Sequence, residues 1–527
     1  MSIPEELARA RRLAFADDEA AARDLLLGLV PEIEQAVRDD LLLEVFAQLG
    51  ELYLTRGALD GAAECRRRIS DCLAVYVAIR AGTRPDLAAQ VTLTDHQIDL
   101  MLIRYPMVVV SLDIGVAAAR GDHDGAAALL GQLRDDELSA RAHIRCAVAL
   151  TDDDLYSRAE PLWRKVIELV EPHPKEHLFV VAALEYGRFC VETGRLSEAA
   201  PWLSRAEARA VAGEWPLSAA RAQLERAAAA WAVGDHDSTE RLINQAYPVI
   251  ARHARSYDVS RCWLYLGLTR LAVGLLDEAD DCWRQAEQSA RDGGKSLHLY
   301  RILLQRSWFG IFTGDYPAAT QLIEAARQAL LSAPRHTWLQ LALLDSQLGT
   351  VWRAAALADL GFDAADPDDL GVIDEPRGTA RHAAAMEKLE RAADLKIPAA
   401  LAVDSVRFTI ADPARRSQWA ARVSAPQLAG AFAVAWEWEN TELVSQLIEY
   451  HSARGMLATR DVHTAGGDWA ATATETASVD GPLELAALPT LQMDPGAPAI
   501  LGRYRILAQQ RYGTAVTVEG PGWTTWP

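Results

Sequence analysis

Cysteine is scarce in this chain, and its spacing excludes a C-x-x-C redox or zinc element. The six residues, Cys65, Cys72, Cys146, Cys190, Cys262 and Cys282, all lie in stretches of helical pattern. They read as small apolar filler, the usage of a reducing cytoplasm. Positive charge is also in short supply, with 53 basic against 73 acidic residues and a net charge of −20. Phosphate binding needs a cationic face, so nucleic acid is excluded as the main ligand. The acidic balance suits solubility, or a basic protein partner. Long apolar runs are missing. The most apolar window, Tyr105 to Ala119, is broken by Asp113 and is too short to span a bilayer. Met1 to Glu6 open a charged helix with no signal-peptide core. β-branched runs are short, and neither H-E-x-x-H nor G-x-S-x-G occurs.

What remains is rich in Ala, Leu, Arg, Glu and Asp, a helix-forming mixture. It also repeats. Gly194, Gly234, Gly274 and Gly314 recur every 40 residues, Asp154 stands one period earlier, and Asp17 and Gly57 are 40 apart. Gly121 shares the turn chemistry. Such residues suit the left-handed backbone just past a helix end. Three residues on, Asp60, Asp124, Ser157, Ser197, Asp237 and Asp277 are expected as N-caps. Pro317 holds that place in the last repeat. Five after the turn stand Ala62, Ala126, Ala159, Ala199, Ala279 and Ala319, with Thr239 the exception. Nine after it come Trp163, Leu203, Ile243, Trp283 and Ile323, and twelve after it Ala206, Ala246, Ala286 and Ala326. Small residues at regular intervals let paired helices approach closely.

The pattern resembles the tetratricopeptide repeat over roughly residues 1 to 360. The aromatic, Leu-Gly and Tyr of its first helix are met by Phe46, Leu49, Gly50 and Tyr53. They are met in part by Trp263, Leu266 and Gly267, with Arg270 where Tyr is expected. Ala279 and Trp283 match the second helix. The family repeat has about 34 residues, so helices here should be longer. Thr83 to Ala119 has no assignable register. The resemblance implies an all-α solenoid, a right-handed superhelix of helix hairpins whose concave surface holds a peptide or partner helix.

Beyond Trp352 the period stops. Residues 361–378 are acidic and rich in Asp, Pro and Gly, and read as an exposed loop. Residues 379–456 carry further helical patterns, Thr379–Leu395, Pro398–Ile410, Pro413–Val423, Pro426–Glu439 and Thr441–Met456, with prolines at helix starts. They should extend or cap the solenoid. Residues 457–527 read as an irregular linker and tail holding one short helix, Ile500 to Tyr512. Glu442 to Gly455 and Ala499 to Tyr512 resemble the end of the repeat region in bacterial tetratricopeptide proteins that carry a CHAT caspase-like protease. That protease needs a His-Gly and a nucleophilic Cys; no His here precedes Gly, and no Cys lies beyond Cys282. The resemblance therefore implies a regulatory repeat module whose effector is a separate chain, or a truncated or split gene.

Candidate partner-binding residues follow from the same register. Arg141, Arg221, Arg261 and Arg301 stand thirteen residues before their turns, with Val181 interrupting. In the family this place faces the groove, where stacked guanidinium groups could clamp a carboxylate or acidic peptide. Salt bridges to acids of adjacent repeats are the alternative. Trp231 and Trp308 are groove anchors or core residues. Gly293-Gly294-Lys295-Ser296 lacks the strand and first glycine of a phosphate loop. The tetrads Gly121-Asp122-His123-Asp124 and Gly234-Asp235-His236-Asp237 coincide with the repeat turn, which accounts for them without a metal. His173 and His177 are flanked by Pro172 and Pro174, which spoil a helical ligand pair. No cofactor and no catalytic site is expected. A transcription regulator's sensing module, or an enzyme using His382, His451 or His463, are the rival readings.

Overall fold

A computed structural model describes residues 2–171, 176–362, 376–410, 416–417, 419–453, 490–491 and 500–519. Apart from a parallel pair of two-residue strands, β1 (Thr490–Leu491) and β2 (Val518–Glu519), the regular structure is helical. The chain forms two compact units, residues 1–282 and 283–527.

Regularity is greatest from α10 (Glu176–Glu192) through α11 (Leu196–Ala212), α12 (Pro216–Ala232), α13 (His236–Arg252), α14 (Ser256–Ala272), α15 (Leu276–Asp292) and α16 (Ser296–Phe312). Each has 17 residues. Three-residue turns join them and lead on from α16 to the next helix, and the middle residue is left-handed every time: Gly194, Glu214, Gly234, Ala254, Gly274, Gly294 and Gly314 have φ between 50° and 80°. The period is thus 20 residues per helix, two helices per 40. The alternate turns carry Glu214 and Ala254, which leave no sequence signature. The Gly293–Ser296 segment is one of these turns.

The N-terminal hairpins are α1 (Ile3–Phe15) with α2 (Glu19–Gln35), and α3 (Asp39–Thr55) with α4 (Leu59–Arg80). A short α5 (Pro85–Ala88) leads to α6 (Asp95–Ala119), paired with α7 (His123–Leu130). The stretch whose register the sequence hides is therefore a long first helix. At 25 residues, with mean hydropathy 1.7 over its most apolar window, α6 alone among the described helices is long and apolar enough to cross a membrane. It reaches further back than the window that sequence reading judged too short. Here it packs on α3, α4 and α8 (Asp136–Asp152). Its Leu112 and Ile114 are fully buried, and Asp113 pairs with Arg66 at 2.9 Å. α9 (Tyr156–Val170) completes the fourth hairpin.

The expected small and large positions form the core. Every alanine expected five or twelve residues after a turn, and Thr239, is at most 1 % exposed, and the five large residues are 0 % exposed. Thr239 is tolerated because its hydroxyl donates to the Asp235 carbonyl at 2.8 Å. A Cβ at Gly50 would fall 2.9 Å from Leu112, and one at Gly187 would fall 2.4 Å from Leu203, so glycine sets how closely α3 meets α6 and α10 meets α11. The caps lie elsewhere than expected. The N-caps are two residues earlier, Ala58, Asp122, Leu155, Arg195 and Asp235. Asp122 and Asp235 accept from Gly125 N and Ser238 N, each at 3.0 Å. The turn is only three residues long, so Asp60, Asp124, Asp237 and Asp277 sit inside the first helical turn. There the acids still favour the helix dipole.

In the unit of residues 1–282, first helices of successive hairpins pack on one another: α1 on α3, α3 on α6, α6 on α8, α8 on α10, α10 on α12 and α12 on α14. No second-on-second pair packs to that extent among the described residues. Closer packing on one side bends a stack, so this unit curves with its first helices inside.

The other unit continues with α17 (Tyr316–Leu331) and α18 (Trp338–Asp359). Residues 363–375, most of the expected acidic loop, lie outside the described residues, as do the end of the expected Thr441–Met456 helix and 457–489 of the expected linker. α19 (Ala380–Ser405) runs unbroken through Pro398, which begins no helix. Pro398 deprives the Asp394 carbonyl of its helical donor. Arg511, from α22 (Gly502–Tyr512), supplies a replacement at 2.6 Å. After a 3₁₀ turn (Val406–Thr409) and a π turn (Ala420–Ser424) come α20 (Ala425–Glu437) and α21 (Thr441–Ala453). Tyr504, Ala508 and Tyr512 of α22 enter the core made by α19, α20 and α21.

Candidate partner-binding surface

The first helices bring Arg141, Arg221 and Arg261 to the inner side of the unit of residues 1–282, and bring acids with them. Arg261 is 5 % exposed and is paired through two hydrogen bonds with Glu225, 1 % exposed. Arg221 donates to Glu185 at 2.8 Å and lies 3.0 Å from Asp258. Arg141 pairs with Glu137 and lies 3.7 Å from Glu51. Arg301 stands half-buried on α16 in the other unit, where it too is engaged. Burial disfavours the charge of Arg261, yet Glu225 raises its pKa well above the ordinary value. Burial likewise opposes the charge of Glu51, but Arg145 and Arg141 hold its carboxyl below the usual range.

Sequence reasoning missed half of this network. Glu185 and Glu225 are 40 apart, and each meets the arginine 36 residues further on. A search for acids sharing the arginine period would have found them. Where Val181 interrupts, Arg188 takes over: it bonds Asp152 at 2.6 Å and lies within 3.8 Å of Glu185 and Glu192. Arg188 and Arg261 both point at the Tyr257 ring, 6.0 and 5.7 Å from its centre. Arg188 is on α10 and Tyr257 on α14, so the bend brings together helices two hairpins apart.

A more open recess of about 400 Å³ lies between α1, α3 and α6. Leu7, Leu41, Leu100 and Met101 contribute apolar surface, and Leu100 is 53 % exposed. Glu44 also lines it, accepting from Arg11, from Arg104 and Gln48 at 3.0 Å each, and from the Tyr105 hydroxyl at 3.3 Å.

Trp231 is half-buried and packs 4.7 Å from the His236 ring. Trp308 is half-buried and stacks on Phe312 at 5.7 Å. In the matching tetrads, His123 bonds Asp153 at 2.7 Å. His177 lies between Phe15 and Trp215; His173 and His463 are outside the described residues. His382 is in the first turn of α19, and His451 is near the end of α21 beside Phe432. No group of three or more His, Cys, Asp or Glu that could hold a metal occurs among the described residues. All six cysteines are free thiols. Burial pushes Cys146, Cys190 and Cys262 up to about 12, which leaves little thiolate at neutral pH.

No family model matches the chain, and no curated protein matches it. Solved structures do. The Rap protein complexed with competence and sporulation factor aligns at 9 % identity and TM-score 0.43, over 76 % of this chain and 99 % of its own. The Cut9–Hcn1 hetero-tetramer of the APC/C aligns at 14 % identity and TM-score 0.32, over 84 % and 87 %. A signal transduction ATPase with a tetratricopeptide repeat sensor from Pyrococcus horikoshii aligns at 13 % identity and TM-score 0.38, over 63 % of this chain and 50 % of its own. The fold assignment rests on this chain's own helix register.

Proposed function

We propose that this tetratricopeptide-type helical-repeat protein is a non-catalytic scaffold that holds a protein or peptide partner on its first helices. The observation that carries the reading is the periodic placement of hydrogen-bonding side chains on those helices, beside a recess that is partly apolar. Such a surface takes a polypeptide through apolar anchors and fixes its register through ion pairs. Arg141, Arg221, Arg261 and Trp231 belong to this proposed contact surface in the unit of residues 1–282, and Arg301 and Trp308 are proposed contacts on the other unit. A partner would bind there by exchanging ion pairs, not by meeting free charge.

A photo-crosslinking residue at Leu100, in the recess, and at Leu27, exposed on the second helix α2, provides the test in native extract. A partner crosslinked at Leu100 and not at Leu27, and lost on Glu44→Lys, is expected. Equal crosslinking at both positions would refute the reading. The finer proposal is that the partner is a caspase-like protease of the CHAT type in a reducing cytoplasm. It is supported by the resemblance of Glu442–Gly455 and Ala499–Tyr512. Co-purification with a protease encoded nearby, with altered cleavage, is expected; a neighbourhood without such a gene counts against it.

A further inference from the structure

Within the unit of residues 1–282, the turn between α1 and α2 meets residues about two hundred positions later in the chain. The Asp17 carboxylate accepts from Leu217 N at 3.1 Å and Ser218 N at 3.4 Å. These are the first free N–H groups of α12, whose cap residue Trp215 offers no side-chain acceptor and whose first residue is Pro216. Asp17 thus caps a helix five hairpins away. His253 Nδ1 lies 3.1 Å from the Asp17 carbonyl. Glu19, 7 % exposed, is held by Arg56 and by Arg255. Those arginines also tie the α3–α4 turn to the α13–α14 turn: Arg56 donates to the His253 carbonyl and Arg255 to the Thr55 carbonyl, each at 3.3 Å. Phe15 stacks on His177 at 4.0 Å, and His177 meets the edge of Trp215 at 5.4 Å.

The bend of the first helices therefore closes on itself, turn against turn. The same winding covers the inner ion pairs, since Arg188 is 2 % and Arg261 5 % exposed. The contact is made by turns and is mostly polar, the kind of contact that opens locally at small cost. We infer that the α1–α2 turn is a latch: it holds this unit closed, and its release uncovers the inner arginine face to a partner. The second half of that statement rests on the partner-binding reading above.

The test uses the full chain with spin labels at the exposed positions Ala20 and Arg252, beside the two turns. Glu19→Lys sets a cation against Arg56 and Arg255. The wild type should give one short distance, and Glu19→Lys a longer population holding most molecules. Phenylglyoxal modification of Arg188 and Arg261, mapped by mass spectrometry, should rise several-fold in that variant. Should Glu19→Lys lose helicity, Asp17→Asn is the milder probe. It should speed amide exchange at Leu217 and Ser218 by about tenfold or more. Unchanged distances in Glu19→Lys, or unchanged exchange in Asp17→Asn, would overturn the latch. A longer distance with unchanged arginine modification would overturn its role as a cover, while crosslinking at Leu100 would still stand or fall by itself.

Discussion

Arg261 and Glu225 show how much a single pair can hold when water is kept out. Removing one partner leaves a buried charge uncompensated, so Arg261→Met should cost about 3–5 kcal/mol. Replacing both, as Arg261→Met with Glu225→Leu, should recover most of that loss in urea titration. Lys396 presents the opposite case. It is 7 % exposed and threads between Gly349 and Gly430, where an added Cβ would fall 2.4 and 2.8 Å from its stem. Its amine donates to Thr350 Oγ1 at 2.8 Å and to the Ser346 carbonyl at 3.3 Å. Burial, with Arg353 nearby, pulls its pKa from 10.5 to about 8. Between those values the unfolded chain binds more protons than the folded one, so stability should rise with pH across that window. Lys396→Met keeps the unbranched stem and should flatten this rise. It should also stabilise the chain by about 1–2 kcal/mol at pH 7; a lower melting temperature would contradict the account.

At the scale of elements, the tail helix α22 matters because of a proline one helix away. Arg511 caps the Asp394 carbonyl that Pro398 orphans, while Arg503 pairs with the Asp394 carboxylate at 2.5 Å and Tyr512 donates to buried Asp345 at 2.7 Å. Arg511→Met should destabilise by about 1–2 kcal/mol. In a Pro398→Ala background, where the helix satisfies its own carbonyl, the same change should cost distinctly less. A double-mutant cycle in thermal denaturation measures the difference. The sequence places Pro398 and Arg511 far apart and links them by nothing periodic, so reading Pro398 as a helix start was the natural error. The cap positions failed for a related reason: Asp and Ser favour both the cap and the first turn, and only the length of the turn decides between them.

For the whole molecule, the net charge of −20 and the internal pairing of the inner arginines both oppose phosphate binding. No shift of duplex DNA is expected at physiological salt, and a salt-dependent complex would revive the transcription-regulator reading. The sequence alone determined the helical hairpins, their 40-residue period and their core, because each depends on residues within about one repeat: glycine at a turn, alanine where helices touch, a large side chain between them. It also contained the arginine ladder. Only the tertiary structure decided what those arginines do, since the acids that Arg221 and Arg261 meet sit one repeat away and their burial follows from the bend. The closure of the first hairpin onto turns two hundred residues later was equally out of reach. Glu214, Ala254 and Trp215 carry no turn or cap signature, and a contact set by accumulated curvature depends on every hairpin in between.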